Sequence, residues 1–205
     1  MKSHGSRSLI ALTAFALLPI AWAQAQPAIK FVTSQAHTMA VTSTTFSNGG
    51  TLPLTTVWNQ CTFYPGGGNQ SPELSWNGAP QNTRSFIVIM YDTTASFTHW
   101  GMYNIASTTT SLPMNAGVTG STYGPQIAND YGLGDRSYDG PCPPPGLNPA
   151  VHHYVFTVYA LDTKLPPLPT IGDFPPGAEA LYQAMIAAAR NGSILDSASI
   201  SGVFP

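Results

Sequence analysis

Glycine and proline interrupt this chain so often that long regular elements have little room to form. Asn48-Gly49-Gly50, Pro65-Gly66-Gly67-Gly68, Asn77-Gly78 and the stretch 117–120 (GVTG) all read as turns. Gly reaches positive φ without strain, and Pro removes an amide donor. Between these breaks lie short runs rich in β-branched and aromatic residues. Residues 85–91 (SFIVIMY) are nearly all apolar, which predicts a strand buried on both faces. Residues 99–105 (HWGMYNI) and 154–161 (YVFTVYAL) predict two more. Many short strands between Gly/Pro turns predict a mainly β fold of the sandwich class.

One segment departs from this pattern. In residues 178–190 (AEALYQAMIAAAR), Leu181, Ala184, Met185 and Ala188 fall on one helical stripe. Pro175-Pro176-Gly177 precedes the stripe and Asn191-Gly192 closes it, as a helix C-cap does. A terminal strand over 198–204 follows, with Ala198, Ile200 and Phe204 on one face. Residues 108–134 are rich in Thr, Ser and Gly and weakly patterned, so they read as a long irregular connection.

The first residues carry a different signal. Lys2 and Arg7 precede an apolar run over 9–22, and small residues follow at the right spacing, Ala21-Trp22-Ala23 or Ala23-Gln24-Ala25, the second being preferred. A positive start, a short apolar core and an A-x-A ending predict a secretory signal peptide cleaved after Ala25. No later run is long enough to span a bilayer as a helix. Residues 1–25 are therefore expected to be a signal, and 26–205 a single domain in the periplasm or outside the cell. Both cysteines, Cys61 and Cys142, lie in the exported part. A pair of cysteines in an oxidising compartment predicts a disulfide in preference to a metal site. Charged residues make up 8% of the chain and the formal net charge is −2, with no basic run. That argues against nucleic acid as a partner and against electrostatic docking on anionic membranes.

The richest stretch is 138–162 (YDGPCPPPGLNPAVHHYVFTVYALD). A rigid Pro/Gly loop there runs into His152, His153 and Tyr154 and then into a strand. Alternation sends His152 and Tyr154 to one face and His153 to the other. An imidazole and a phenol on one face suit an anion; a structural turn with hydrogen-bonded rings is the plainer alternative. Asp92 ends one predicted strand and His99 begins the next. Strands joined by a short loop pair, which puts both residues at the same end of a hairpin.

These motifs together resemble the phosphatidylethanolamine-binding protein family, in its bacterial Raf-kinase-inhibitor-like branch. Cys61, the glycines after it, Asn69 and Ser71-Pro72-Glu73-Leu74-Ser75-Trp76 are similar to the C-x-G-x-N-x-S-P lead-in and the S-P-x-L-x-W signature. Tyr91-Asp92, His99-Trp100 and Asn104 resemble one conserved region. Gly140-Pro141-Cys142-Pro143-Pro144 with His152-His153-Tyr154 resembles the other. The likeness covers about residues 46–204. Where the family has D-P-D-x-P, this chain has Asp92-Thr93-Thr94-Ala95.

The resemblance implies an antiparallel β-sandwich with a short C-terminal helix, a terminal strand and an anion pocket at one end. It implies ligand binding by Asp92, His99, Gly140, Pro141, His152 and Tyr154, with a phosphate or a phospholipid headgroup as the ligand. On this reading the Gly140 backbone approaches the ligand, Asp92 orients an imidazole, and the histidines donate to the anion. Binding is then expected to weaken as pH rises through the histidine range unless burial lowers those values. No cofactor, metal or enzymatic activity is expected: the chain has neither H-E-x-x-H nor G-x-S-x-G. Inhibition of an exported or host kinase or protease through the pocket rim is the alternative role the resemblance offers.

Overall fold

In a computed structural model the described residues are 38–132, 136–146, 148–170 and 176–205. The expected signal segment, its cleavage position and Pro175 lie outside them. In chain order the elements are β1 (Ala40–Thr42), β2 (Gly50–Thr51), a 3-10 turn (Leu54–Thr56), β3 (Leu74–Asn77), β4 (Ser85–Asp92), β5 (Phe97–Ala106), β6 (Ser111–Leu112), β7 (His152–Leu161), α1 (Ala178–Arg190) and β8 (Ile194–Phe204).

The strands form a three-stranded sheet in the order β1-β3-β6 and a five-stranded sheet in the order β2-β8-β7-β4-β5. The long pairings are antiparallel, and only the two-residue β2 runs parallel to β8. Between the sheets lies one core. Leu74, Trp76 and Leu112 of the small sheet meet Phe86, Val88, Met90, Phe156, Val158 and Ile200 of the large one. The other face of the large sheet carries a second core, where Ile87 and Ile89 pack with Tyr103, Leu181 and Met185. β4 contributes to both cores, which explains its unbroken apolar run: each of its two faces needs apolar side chains. β7 buries alternate residues from His152 to Ala160, as a strand with one half-open face should, and Leu161 at its end is buried as well.

The helix spans the residues its stripe predicted and buries Ala178, Leu181, Met185 and Ala188. It stops at Asn191, where Gly192 takes φ +72° and its amide donates to the Ala189 carbonyl. Among the described residues no helix is long and apolar enough to cross a membrane.

The stretch 108–134, expected to be irregular, contains β6, which pairs with β3; beyond it the described residues of the connection to β7 have little regular structure but are pinned. The Ile127 and Asp130 amides bond to the Gly101 and Thr98 carbonyls, which covers the outer edge of β5. Trp100 of β5 donates its indole N–H to the Gln126 side chain at 2.6 Å, and Gln126 in turn donates to the Val118 and Arg136 carbonyls.

Candidate functional site

The hairpin between β4 and β5 builds the first wall. Asp92 pairs with Phe97, so the turn is only 93–96. Asp92 makes that turn itself: its Oδ1 accepts from the Thr94 and Ala95 amides at 2.8 and 3.1 Å. A side-chain acceptor that gathers the next amides closes a turn without proline, which is how the chain manages without the D-P-D-x-P pattern. Tyr91 then pairs with Thr98 and Met90 with Trp100. His99 is the extra residue of a β-bulge, and bulges re-aim side chains at sheet margins. The bulge sets the His99 ring against Tyr154 of β7, with ring centroids 5.3 Å apart.

β7 supplies the second wall. Its alternation buries His152 and Tyr154 and leaves His153 exposed. Tyr154 pairs across the sheet with Asp92. The free oxygen of Asp92, Oδ2, accepts from His152 Nδ1 at 2.6 Å, and both side chains are buried. Asp92 therefore orients an imidazole, as expected. The His152 ring lies 6.4 Å from Tyr154, so Tyr154 packs with both histidines.

The Pro/Gly loop closes the site from below. His99 Nδ1 bonds to the Asp139 carbonyl at 2.8 Å. The Asp139 carboxylate is buried and accepts from Asn69 at 2.8 Å and Asn129 at 2.7 Å. Asn69 also accepts from the Gly140 amide at 2.9 Å. The Gly140 amide is thus already engaged within the fold. A side chain at Gly140 would meet the Thr56 carbonyl at 1.8 Å, so packing against the 3-10 turn explains the glycine there. Pro141 is buried, and its carbonyl accepts from the Trp58 amide at 3.1 Å. Cys142 is joined to Cys61 in a disulfide, with Cα atoms 5.6 Å apart and a sequence separation of 81. The chain-entropy account gives such a closure roughly 4 kcal/mol.

An aromatic rim completes the site. Tyr131 stacks on Trp58 at 4.6 Å and meets Phe97 and His99 edge-on at 4.8 and 5.5 Å. Its hydroxyl donates to the Gly140 carbonyl at 3.1 Å. Sequence reasoning missed Tyr131, Asn129 and Asp139. Asp139 sits beside the Gly-Pro motif, but nothing in the sequence pairs it with Asn69 or Asn129. A separate hollow of about 380 Å³ lies over the outer face of the large sheet, between Tyr91, Thr157 and Tyr182. None of the predicted site residues lines it.

Electrostatics divides the groups sharply. Burial pushes His99 down to about 4, against the opposing pull of the Asp139 carbonyl and the Asp92 and Asp130 carboxylates. At neutral pH the ring is uncharged, the case in which burial lowers the value: the desolvation cost exceeds what its neighbours return. Burial first, then the Asp92 charge, raises the Tyr154 phenol, and burial with the Asp139 and Asp92 charges raises that of Tyr131. Both remain neutral hydroxyls.

Comparison with known proteins agrees with this architecture. A sequence model described as "Phosphatidylethanolamine-binding protein" matches residues 42–205. The UPF0098 protein YbcL of Escherichia coli K12 is 39% identical over 150 residues, covering 68% of this chain and 79% of the relative. A UPF0098 protein of Aquifex aeolicus is 35% identical over 173 residues, covering 81% and 88%. The crystal structure of E. coli YbcL, described as a new member of the mammalian PEBP family, superposes with a TM-score of 0.66 at 34% identity, covering 82% of this chain and 98% of that one.

Proposed function

The chain belongs to the phosphatidylethanolamine-binding protein family, and on that premise we propose that it is an exported binding protein for a small oxyanion, phosphate or a phosphorylated headgroup, with no catalytic step of its own. The observation that carries this reading is the pair of imidazoles around Tyr154. They arrive from different strands, each is tied through Nδ1, and in neither does Nε2 take part in a hydrogen bond among the described residues. Two ring nitrogens and a phenol grouped in this way offer directional polar contacts to a tetrahedral anion. Export rests on the N-terminal pattern of Lys2, Arg7, the apolar run and the A-x-A ending, with residues 26–205 as the working domain in the periplasm or outside the cell. The Cys61–Cys142 disulfide supports an oxidising compartment.

Calorimetric titration with inorganic phosphate and with phosphoethanolamine tests the reading, on the wild type and on His152→Ala. Binding to the wild type and a loss of about tenfold or more in the variant are expected. Equal affinities in both proteins would remove the anion from this site and favour a protein partner at the Trp58–Tyr131 rim.

A further inference from the structure

The tautomer of His99 is fixed by its partner. A carbonyl oxygen only accepts, so the hydrogen bond to Asp139 requires the proton of the neutral ring to sit on Nδ1. Nε2 then carries a lone pair. It takes part in no hydrogen bond among the described residues, while the Asp139 and Gly140 backbones both act on the ring. Nε2 can accept but not donate.

The groups facing the ring sharpen this. Asp92 faces it from β4, Tyr154 from β7, and Asp130, Tyr131 and Asp139 from the β6–β7 connection; Phe97 packs beside it on β5. His152 stacks near Tyr154, with ring centroids 6.4 Å apart. Each carboxylate is already matched with donors: Asp92 with His152 and two turn amides, Asp130 with the Thr98 amide, and Asp139 with Asn69 and Asn129. An anion reaching this side of the site meets a lone pair set among carboxylates, which repels a bare oxyanion oxygen. An oxygen that carries a hydrogen gains a bond there instead.

Resting on the anion-site reading above, we propose that the site selects an oxyanion that is itself protonated, inorganic phosphate or a phosphate monoester in its monoanionic form, and that His99 is the specificity residue, accepting the hydrogen bond from the ligand's P–OH. Sulfate has the same tetrahedral shape but carries no proton near neutral pH. A site built to accept a hydrogen bond discriminates strongly against an analogue that has none to give. A monoester loses its last proton near pH 6, whereas inorganic phosphate still holds one in mildly alkaline solution.

The test is calorimetry on the disulfide-intact protein with phosphate, sulfate and methyl phosphate, at about pH 5.5 and about pH 8. Phosphate is expected to bind about tenfold or more tightly than sulfate at both values. Methyl phosphate should match phosphate at the lower pH and fall toward sulfate at the higher. Comparing the three ligands at one pH cancels what the rest of the site contributes to all of them, so the ratios isolate His99. In His99→Leu the preference for phosphate over sulfate should shrink to about twofold or less. Equal wild-type affinities for phosphate and sulfate overturn the selection and leave the anion site standing; no binding of any of the three overturns both. Nitrogen-15 NMR of the ligand-free wild type keeps the proposal exposed if the leucine variant does not fold. A proton on Nδ1 and a bare Nε2 at neutral pH are expected, and a proton on Nε2 refutes the proposal.

Discussion

The two site histidines are held through the same ring nitrogen by partners of different charge. Each gives Nδ1 to an acceptor, and each packs against Tyr154. His152 meets a carboxylate at the end of the neighbouring strand, a partner able to balance a charge on the ring. His99 meets a backbone carbonyl that has no charge to offer, and burial holds it neutral. The atom that reaches Nδ1 decides what the opposite nitrogen does for a ligand. One sheet end can therefore present two imidazoles with different roles.

The disulfide offers the largest way to break this contrast. It anchors the loop that carries the carbonyl partner of His99 and leaves the Asp92–His152 pair alone. Replacing both cysteines by alanine should cost up to roughly 4 kcal/mol in denaturant unfolding. Amide exchange should quicken around Asp139 to Cys142 and stay slow at Asp92. Equal quickening at both places would mean that the two halves are one cooperative unit.

The next effect is a pH dependence. The folded value for His99 lies at about 4, below the ordinary 6.5. Between those values the unfolded chain takes up a proton that the folded chain refuses. Stability is therefore fully present above about 6.5 and falls as pH drops toward about 4, by an amount on the order of 3 kcal/mol from this residue. Unfolding curves across that range, for the wild type and for His99→Gln, read it directly. The variant should lose the His99 share of the slope; an unchanged slope assigns it to another group.

A smaller pair of changes sharpens the comparison further. Asp139→Asn places an amide donor opposite Asn69 or Asn129 and should cost about 2 kcal/mol. Asp92→Asn keeps an acceptor for the Thr94 and Ala95 amides and should cost about 1 kcal/mol. The order is the check: a costlier Asp92 change would make the His152 half the structural one.

How much of this the sequence foretold follows the range of the contacts involved. β4, β7 and α1 were legible because their burial is written in local periodicity, and the helix stripe gave its ends as well. The meeting of Asp92, His99 and His152 at one sheet end was legible too, from strand ends in recognisable motifs. What holds the His99 ring was not. Its aim depends on a bulge between Met90 and Tyr91 on the partner strand, and no pattern within β5 alone announces that. Its supports, Asn69, Asn129 and Asp139, are polar residues from separate loops that meet only in the fold. Gly140 was read as an approach for a ligand because the family motif it resembles places it there; that its close contact is with Thr56 is tertiary information.

The central claim is that an oxyanion sits between the two imidazoles, and a crystal structure of the protein soaked in inorganic phosphate tests it most directly. The account predicts phosphate within hydrogen-bond distance of His99 Nε2, His152 Nε2 and the Tyr154 hydroxyl, with both Nδ1 bonds kept. Phosphate bound elsewhere, or a site left without it at saturating concentration, would contradict the account.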